Sequence, residues 1–329
     1  MKALILAGGF GTRLRPLTLT RPKHLLPIVN VPHIEHVFDL LRRHGVGEIV
    51  LLTSYLADAF AATVARAAQR GIEVEVAHEE EPLGTAGALK NAQNFVGDDT
   101  FFAFNGDVLT DVDLSAVLEW HRAKGAEATL VLTPVDDPSA YGVVPTDTDG
   151  RVTGFIEKPS RGGAPTNLIN AGVYVLEPRL LDRIPAGEVV SAERELFPAV
   201  VEDHTMYGLG TDAYWMDIGT PEKLLQANMD LLSHALSPEE VPNVRADGVL
   251  AAAGAEVHPS ARVSSCCLGR DVRIEGGAVV HRAVLLPGAS VGVGASVRNS
   301  TLGEGARIGP GVAVEGVAIG DGQTIDEEQ

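Results

Sequence analysis

The sequence has few of the features that mark several common protein classes. It contains only two cysteines, the adjacent Cys266 and Cys267, which excludes a disulfide framework and a metal site of spaced cysteine pairs. We expect two reduced, packed thiols. No apolar run approaches the ~18 residues that a membrane-spanning helix needs. The start, MKALILAGGF, is too short for a secretory signal and is typical of a buried first strand. We therefore expect a cytoplasmic globular chain without a membrane partner.

Positive charge is also scarce, and its distribution is uneven. The chain has 26 Lys and Arg against 44 Asp and Glu, a formal net charge of -18, which argues against a nucleic-acid partner. Four cations nevertheless fall within eleven residues that contain no acid. This segment is predicted to bind a polyanion against the field of the whole chain. The four cations are Arg13, Arg15, Arg21 and Lys23.

The first two thirds of the sequence alternates β-like runs with helical patterns. This alternation predicts βαβ units and an α/β domain with a Rossmann-like, mostly parallel mixed sheet, over residues 1–236. Ligands of such sheets bind beyond the carboxyl ends of the strands, where the Gly8 loop and Asp107 should therefore meet. Predicted strands are Ala3–Ala7, Glu48–Thr53, Ile72–Ala77, Thr100–Phe104 and Thr129–Leu132; predicted helices are Ile34–His44, Ala57–Arg70, Ala86–Phe95 and the stretch from an Asp113 cap to Lys124.

A further helix is predicted from its start signals. Thr220 is a typical N-cap, Pro221 suits the first helical position and Glu222 suits the first turn. The pattern runs to about Ala235. Residues 237–250, which begin SPEEVP, are predicted as a linker.

The last part, residues 251–325, repeats every seventeen residues. Three sets of aliphatic residues align at spacings of six, six and five, with glycines between them. This pattern is typical of a β-helix whose three sides each point one side chain inward. It resembles the left-handed parallel β-helix of hexapeptide-repeat proteins, over about four coils. The sets are Val257, Ile274, Val291 and Ile308; Val263, Val280, Val297 and Val314; and Leu268, Leu285, Leu302 and Ile319.

The loop after the first strand carries the chemistry. Its glycines allow backbone N–H groups to approach phosphate oxygens, although the segment lacks both G-x-G-x-x-G and the G-K-[ST] of a Walker A loop. The segment reads AGGFGTRLRPLTLTRPK, and it contains every fixed position of the pattern A-G-G-x-G-T-R-L-x-P-L-T-x-x-x-P-K. In this signature the chain resembles the sugar-1-phosphate nucleotidyltransferases. The resemblance covers the whole chain and is greatest to the bacterial mannose-1-phosphate guanylyltransferases.

The resemblance implies roles for individual residues. Arg13 would stabilise the leaving pyrophosphate, Lys23 would hold the α-phosphate, and Asp107 and Asp217 would bind Mg²⁺ from opposite sides. Glu157 would bind sugar hydroxyls and Lys158 the sugar phosphate. The implied nucleotide-binding residues are Leu6, Ala7, Gly8, Gly9, Gly11, Thr12, Arg13, Lys23, Glu79, Pro82, Gly84 and Asp107, and the implied sugar-phosphate site is Gly142, Glu157, Lys158, Asn170 and Gly172.

Elementary chemistry agrees with these roles. A phosphate monoester is already largely ionised at neutral pH, so the attacking oxygen needs no general base. Accordingly, the sequence has no G-x-S-x-G or H-E-x-x-H motif. Catalysis would consist of positioning and charge neutralisation by Arg, Lys and Mg²⁺. Mg²⁺ prefers one or two carboxylates together with phosphates and water.

The base is expected to be read by Glu79, five positions before Gly84. A carboxylate offers only acceptors, which suit the two adjacent donors of guanine, N1–H and N2–H₂. A mismatch would cost about 1–3 kcal/mol, so GTP is favoured over TTP or UTP. The sugar, mannose, depends on the resemblance alone.

Several readings stay open. Asp107 could be a turn residue, Asp217 could merely precede a helix, Lys158 could be solvated, and Glu79 could belong to an acidic loop edge. Alternative functions are a glucose-1-phosphate thymidylyl- or uridylyltransferase, a silent regulatory subunit of the same fold, and an acyltransferase. We expect a homo-oligomer. His33 and His36 are interpreted as a helix start rather than metal ligands, and His258 and His281 as structural.

Overall fold

The structure is a computed structural model that describes residues 1–54, 56–233 and 243–326. The chain forms two compact units, which we call the sheet unit (Met1–Gly9 and Glu35–Trp215) and the β-helix unit (Phe10–Ile34 and Met216–Gln329). The signature loop is thus divided: Gly8 and Gly9 belong to the sheet unit, whereas residues from Phe10 onward group with the C-terminal strands. Residues 237–242 of the predicted linker lie outside the described residues.

The strands and helices up to residue 232 follow the alternation that the sequence predicts. The strands are β1 (Lys2–Leu6), β2 (Pro27–Ile28), β3 (Val31–Pro32), β4 (Glu48–Thr53), β5 (Glu73–His78), β6 (Phe101–Asn105), β7 (Val108–Thr110), β8 (Ala128–Pro134), β9 (Gly142–Val143), β10 (Ile156–Glu157), β11 (Leu168–Leu176), β12 (Met206–Gly210) and β13 (Trp215–Asp217). The helices are α1 (His33–Arg43), α2 (Ala61–Gln69), α3 (Gly84–Asn91), α4 (Gln93–Val96), α5 (Leu114–Lys124), α6 (Phe197–Glu202) and α7 (Pro221–Leu232).

The sheet unit is built on a mixed sheet with strand order β10-β9-β11-β6-β1-β4-β5, and β8 pairs with both β11 and β12. The pairs β1–β4, β1–β6 and β4–β5 are parallel, as predicted, whereas β11 is antiparallel to β6 and β8. Leu4 and Phe101 are fully buried in the unit's core. A strand covered on both faces needs a continuous apolar run, which is why β1 reads Ala-Leu-Ile at its centre.

Helix boundaries differ from the predictions in four places. Helix α1 spans His33–Arg43, one residue earlier at each end than the predicted Ile34–His44. The predicted Ala57–Arg70 helix begins as a 3-10 turn, Ala57–Phe60. The predicted Ala86–Phe95 helix starts earlier and is split into α3 and α4. Helix α7 ends at Leu232, and Ala235 lies outside the described residues. Both predicted caps are confirmed, because the side chains of Asp113 and Thr220 accept backbone N–H groups of their first helical turns.

The C-terminal strands form a parallel β-helix whose register agrees with the seventeen-residue repeat. Val257 pairs with Ile274, which pairs with Val291, which pairs with Ile308. The first strand begins at Val249, two residues before the predicted start. The left-handed sense of the coil stays a prediction. The strands are β14 (Val249–Ala251), β15 (Glu256–Val257), β16 (Arg262–Leu268), β17 (Arg273–Ile274), β18 (Val279–Leu285), β19 (Ser290–Val291), β20 (Ser296–Leu302), β21 (Arg307–Ile308), β22 (Ala313–Glu315), β23 (Ala318–Ile319) and β24 (Thr324–Ile325).

Corners of the β-helix recur at the same period. Residues with positive φ stand at 248, 265, 282, 299 and 316, and again at 254, 271, 288, 305 and 322. Ser265, Arg282 and Asn299 therefore turn the middle of their strands although they are not glycines. Cys266 and Cys267 are free and buried beside the first of these corners, as predicted. Within the described ranges, none of the helices combines the length and apolar composition that crossing a bilayer requires.

Candidate active site

The carboxyl ends of three neighbouring strands in the sheet unit bring the first predicted residues together. Leu6 at the end of β1 pairs with Asn105 at the end of β6, and Gly106 N–H donates to Leu6 O at 3.0 Å. Ala7 N–H donates to Leu52 O of β4 at 2.8 Å. The expectation that the glycine loop and Asp107 emerge at one sheet edge is therefore confirmed for the residues of this unit.

Gly8 is required at its position by a close contact. Ser54 Oγ donates to Gly8 O at 2.7 Å. A Cβ placed on residue 8 would lie 2.7 Å from Ser54 Oγ. Any other amino acid would displace Ser54. Gly8 thereby keeps a compact turn after β1, whose next residue, Gly9, is exposed.

Glu79 follows β5 and differs from the two glutamates after it. Its side chain is only 6% exposed, whereas Glu80 and Glu81 are exposed. Burial raises the pKa of Glu79, although a hydrogen bond from the backbone N–H of Leu83 opposes the shift. Among the described residues, no donor lies within hydrogen-bonding distance of Glu79 Oε1. A buried acceptor without a donor is costly, so a donor supplied by a ligand would stabilise Glu79.

The loop after Glu79 is held by main-chain contacts. Val190 N–H donates to Leu83 O. The N–H groups of Ala86 and Gly87 donate to Val190 O at 3.0 and 3.2 Å. Gly84 has φ +75°, and a Cβ there would lie 2.7 Å from Val190 O. Gly84 is therefore needed to start α3 against this segment, while Pro82 before it is exposed.

The predicted sugar-phosphate residues gather on β9, β10 and the start of β11. Gly142 pairs with Glu157, and a Cβ on Gly142 would lie 3.1 Å from Glu157 Oε2. The side chain of Lys158 is 61% exposed, with Nζ 3.5 Å from Glu157 Oε1. A carboxylate and an accessible ammonium are thus presented side by side, which suits a ligand with both hydroxyl and phosphate groups.

Asn170 is engaged within the chain. Its Nδ2 donates to the Tyr174 hydroxyl at 2.8 Å and its Oδ1 accepts Gly172 N–H at 3.0 Å. The β11–β8 register shifts between Asn170 and Tyr174, and Gly172 at φ +73° approaches Asn105 there. The bulge lets the amide cap the backbone turn, so the arrangement supports a positioning role for Asn170.

Nearby, an aromatic pair was not predicted from the sequence. The rings of Tyr141 and Trp215 meet edge to face with centroids 5.6 Å apart, and Trp215 Nε1 donates to Ala171 O at 2.8 Å. The two residues are 74 positions apart in the sequence, so no local sequence pattern predicts that they meet. The pair borders the turn that contains Gly142.

In the β-helix unit, Gly11 organises the remainder of the signature loop. It has φ +60°, its carbonyl accepts the Thr18 hydroxyl at 2.8 Å, and a Cβ there would lie 3.1 Å from Lys23 Cβ. Thr12 and Arg13 follow in an exposed 3-10 turn. The spacing of these residues in the signature thus reflects one small cluster of Gly11, Thr18 and Lys23.

Arg13 and Asp217 converge on Gly219 in the same unit. A Cβ on Gly219 would lie 2.9 Å from Arg13 Nη2 and 3.2 Å from Asp217 Oδ2. Asp217 also forms an ion pair with Lys223, in the first turn of α7. Lys223 was missed from the sequence; its signal was the capped helix start at Thr220, which places Lys223 in the turn directly after Asp217.

The carboxylates fit the donor chemistry of Mg²⁺. Among the described residues, no group of three or more His, Cys, Asp or Glu side chains could hold a metal by itself. Mg²⁺ ordinarily needs only one or two protein carboxylates, with phosphate and water completing its shell. Asp107 in the sheet unit and Asp217 in the β-helix unit are each partly exposed carboxylates, and each offers the oxygen donors that Mg²⁺ prefers.

Comparison with known proteins gives consistent results. The pattern of the nucleotidyl transferase family matches residues 2–234, and that of the GMPPB C-terminal domain matches residues 246–329. Mannose-1-phosphate guanylyltransferase of Mycobacterium tuberculosis is 42% identical over 260 residues, which are 77% of this chain and 72% of that protein. The catalytic subunit beta of the Danio rerio enzyme is 42% identical over 229 residues, 68% and 63% of the two chains.

Solved structures agree on the fold of the larger part. HddC from Yersinia pseudotuberculosis is 30% identical with a TM-score of 0.61, covering 70% of this chain and 99% of that one. The same protein complexed with GMP-PN gives a TM-score of 0.60 at 31% identity, over 70% and 99%.

Proposed function

Because the chain belongs to the nucleotidyl transferase family, we propose that it transfers a guanylyl group from GTP to mannose 1-phosphate, releasing pyrophosphate and GDP-mannose. The named function of relatives about 40% identical over most of the chain supports this pair of substrates. The observation that carries the choice of base is Glu79, a buried carboxylate whose Oε1 has no donor among the described residues. Guanine supplies two adjacent donors.

In the proposed reaction, a phosphate oxygen of mannose 1-phosphate attacks the α-phosphorus of GTP. One P–O bond forms, and the bond from the α-phosphorus to the bridging oxygen breaks, so that pyrophosphate leaves with the electron pair. The attacking oxygen is already ionised at neutral pH. The chain therefore has to align the reactants and offset charge rather than remove a proton.

Each residue then has a defined task. The backbone of Gly8, Gly9 and Gly11 cradles the triphosphate, Arg13 offsets charge on the departing pyrophosphate, and Lys23 steadies the α-phosphate. Asp107 and Asp217 would hold Mg²⁺, which supplies electrostatic stabilisation of the phosphates. Lys223 keeps the Asp217 carboxylate oriented through their ion pair.

The sugar-phosphate side of the proposal rests on Glu157 and Lys158. The carboxylate of Glu157 accepts sugar hydroxyls, and the exposed ammonium of Lys158 binds the sugar phosphate. Asn170 acts on the ring through the turn at Gly172, which its amide caps. We further propose that the reaction takes place in the cytoplasm and that the enzyme is a homo-oligomer, which sedimentation velocity of the purified chain would test.

The test is a pyrophosphate-release assay over a matrix of GTP, ATP, TTP and UTP with mannose 1-phosphate and glucose 1-phosphate, in Mg²⁺. We expect the largest kcat/KM for GTP with mannose 1-phosphate. Higher turnover with TTP or UTP would contradict the assignment of Glu79. No turnover with any pair would favour a silent regulatory subunit.

A further inference from the structure

Within the β-helix unit, the segment that carries Arg13 and Lys23 is anchored on α7 and the coils at points spread along its length. Val29 N–H donates to the fully buried Asn228 of α7 at 2.8 Å, and Asn30 Nδ2 donates to Leu268 O of β16 at 3.0 Å. A Cβ on Gly320 would lie 3.0 Å from Pro16 Cβ, so the last coil packs closely under this proline. These three contacts join the segment to α7 and the coils.

The most strongly charged of these anchors is at Arg21. Its Nη2 donates to Asp321 Oδ2 at 2.6 Å and to Glu304 Oε2 at 2.8 Å. The Thr20 hydroxyl donates to the same Asp321 oxygen. Asp321 Oδ1 in turn accepts Glu304 N–H at 2.7 Å. The carboxylate is therefore fixed to the coil on one side and to the segment on the other.

The two acids occupy equivalent places in successive coils, since Glu304 and Asp321 are seventeen residues apart. Stacked carboxylates repel each other, and the Arg21 guanidinium relieves that repulsion. Arg21 and Asp321 are 21% and 16% exposed, whereas the side chains of the Arg273–Glu256 pair on the same β-helix are 69% and 75% exposed. An exposed ion pair that water and salt screen contributes little to stability. The half-buried Arg21 cluster therefore restrains its side chains more strongly than the exposed Arg273–Glu256 pair does.

The anchor lies next to residues of the nucleotide site. Arg21 precedes Lys23 by two residues, and Lys23 packs against Gly11, whose carbonyl holds Thr18. Any displacement of Arg21 is passed to this cluster and to the 3-10 turn with Arg13. Because the cluster is small and closely packed, it cannot absorb a shift internally.

We propose that Arg21 and Asp321 are positioning residues for the nucleotide: the last coils of the β-helix hold the segment of Gly11, Arg13 and Lys23 in its triphosphate-binding conformation. The inference rests on the proposed function for the identity of the ligand. It assigns the β-helix a direct part in nucleotide binding, in addition to any role in assembly.

The decisive variant is Asp321→Asn in the full chain. Removing the charge weakens the three hydrogen bonds that the carboxylate accepts from Thr20, Arg21 and the Glu304 N–H, so we expect the KM for the nucleoside triphosphate to rise about tenfold. The KM for the sugar 1-phosphate should stay within about twofold, because its predicted residues belong to the sheet unit. Asp321→Glu should recover part of the loss. Glu256→Gln, which breaks the exposed pair with Arg273, is the matched control and should leave both KM values unchanged.

A substrate-free measurement accompanies the kinetics. Arg15 and Arg21 precede prolines, so trypsin can cut between residues 10 and 34 only after Arg13 and Lys23. We expect Asp321→Asn to be cut there several-fold faster than the unchanged chain, and GTP to protect both. Glu256→Gln should be cut at the unchanged rate.

The outcomes separate the two proposals. A lower melting temperature in Asp321→Asn with unchanged nucleotide KM and unchanged cleavage would show a merely structural pair and overturn the inference. If no substrate pair turns over, the proposed reaction fails. Equilibrium binding of GTP, ATP, TTP and UTP to the unchanged chain and Asp321→Asn, together with trypsin cleavage, would then still decide the positioning role.

Discussion

In the sheet unit, Glu79 is buried with an acceptor that no described donor satisfies, whereas in the β-helix unit Asp217 and Asp321 are each held in an ion pair. The first arrangement costs stability until a ligand supplies the missing donor. The second is already balanced in the free chain. Under the proposed function, this difference predicts a division of work, in which the sheet unit selects the substrates and the β-helix unit holds charged groups ready for turnover.

The largest expected effect tests the role of the β-helix unit in turnover. Asp217→Asn should lower kcat by roughly two to three orders of magnitude, with partial recovery at higher Mg²⁺, because an amide is a poorer ligand than a carboxylate. Steady-state pyrophosphate release over a Mg²⁺ titration measures it. Asp107→Asn in the sheet unit should behave similarly.

Asp212→Asn is the matched control, since this exposed acid lies five residues before Asp217, and its activity should be unchanged. If Asp217→Asn keeps near-normal kcat, Asp217 is not a metal ligand and the β-helix unit takes no part in turnover through it.

The next effect tests whether the coils behave as a continuous core. Ile308 is 2% exposed and pairs with Val291 and Ile325 in neighbouring coils. Ile308→Ala should lower the free energy of unfolding by about 2–5 kcal/mol, through lost burial and a cavity. Chemical denaturation measures it. Arg307→Ala, one residue away and exposed, should change stability by less than about 0.5 kcal/mol; equal losses would refute the inward assignment of the aliphatic ladder.

A smaller effect sharpens the selection role of the sheet unit. Glu79→Gln should reduce the preference for GTP over TTP and UTP by about tenfold to a hundredfold, since an amide can donate to a pyrimidine carbonyl. The ratio of kcat/KM values measures it, with exposed Glu80→Gln as control. An unchanged ratio would remove Glu79 from base recognition.

The same residue should give a pH dependence. Only the ionised carboxylate offers acceptors to both guanine donors, and burial raises the pKa of Glu79. GTP affinity should therefore fall as the pH drops through that raised pKa, above the usual range of a glutamate. Calorimetric GTP binding between pH 7.5 and 5 would reveal the loss, which Glu79→Gln should abolish.

The smallest effect contrasts the two units in acid. Burial lowers the pKa of His121, although Glu177 opposes the shift. The contribution of neutral His121 to the free energy of unfolding is therefore complete above the ordinary histidine pKa and declines as the pH falls below it. Burial alone would raise the pKa of Asp321, but hydrogen bonds from Thr20 and Arg21 lower it. The contribution of ionised Asp321 to the free energy of unfolding is complete above the ordinary aspartate pKa and is lost only as the pH falls through the lowered pKa.

Hydrogen exchange at pH 7.5 and 5.5, corrected for intrinsic rates, should thus show α5 and β8 losing protection while β22 and β23 keep theirs. Equal losses in both regions would contradict the assignment. His121→Gln should flatten the response of α5, whereas Ala123→Gln, at an exposed position of the same helix, serves as control.

Local patterns predicted much of the fold. The strand Glu48–Thr53 and the caps Asp113 and Thr220 were predicted at their observed positions, because each depends on neighbouring residues only. The split of the predicted Ala86–Phe95 helix was not predicted, since contacts with Val190 decide where α3 begins. For the candidate site, the signature identified Gly8 and Arg13, but Lys223 and the Tyr141–Trp215 pair had no comparable pattern.

The sequence by itself determined the register of the β-helix, because a coil that repeats every seventeen residues places equivalent side chains on top of one another. It also predicted a polyanion site after β1, from glycines and cations within one short segment. Only the tertiary structure decided that this segment divides between two units and that Arg21 is held by Glu304 and Asp321. Those partners are 283 and 300 residues away, and contacts at such separations follow from packing rather than from any local pattern.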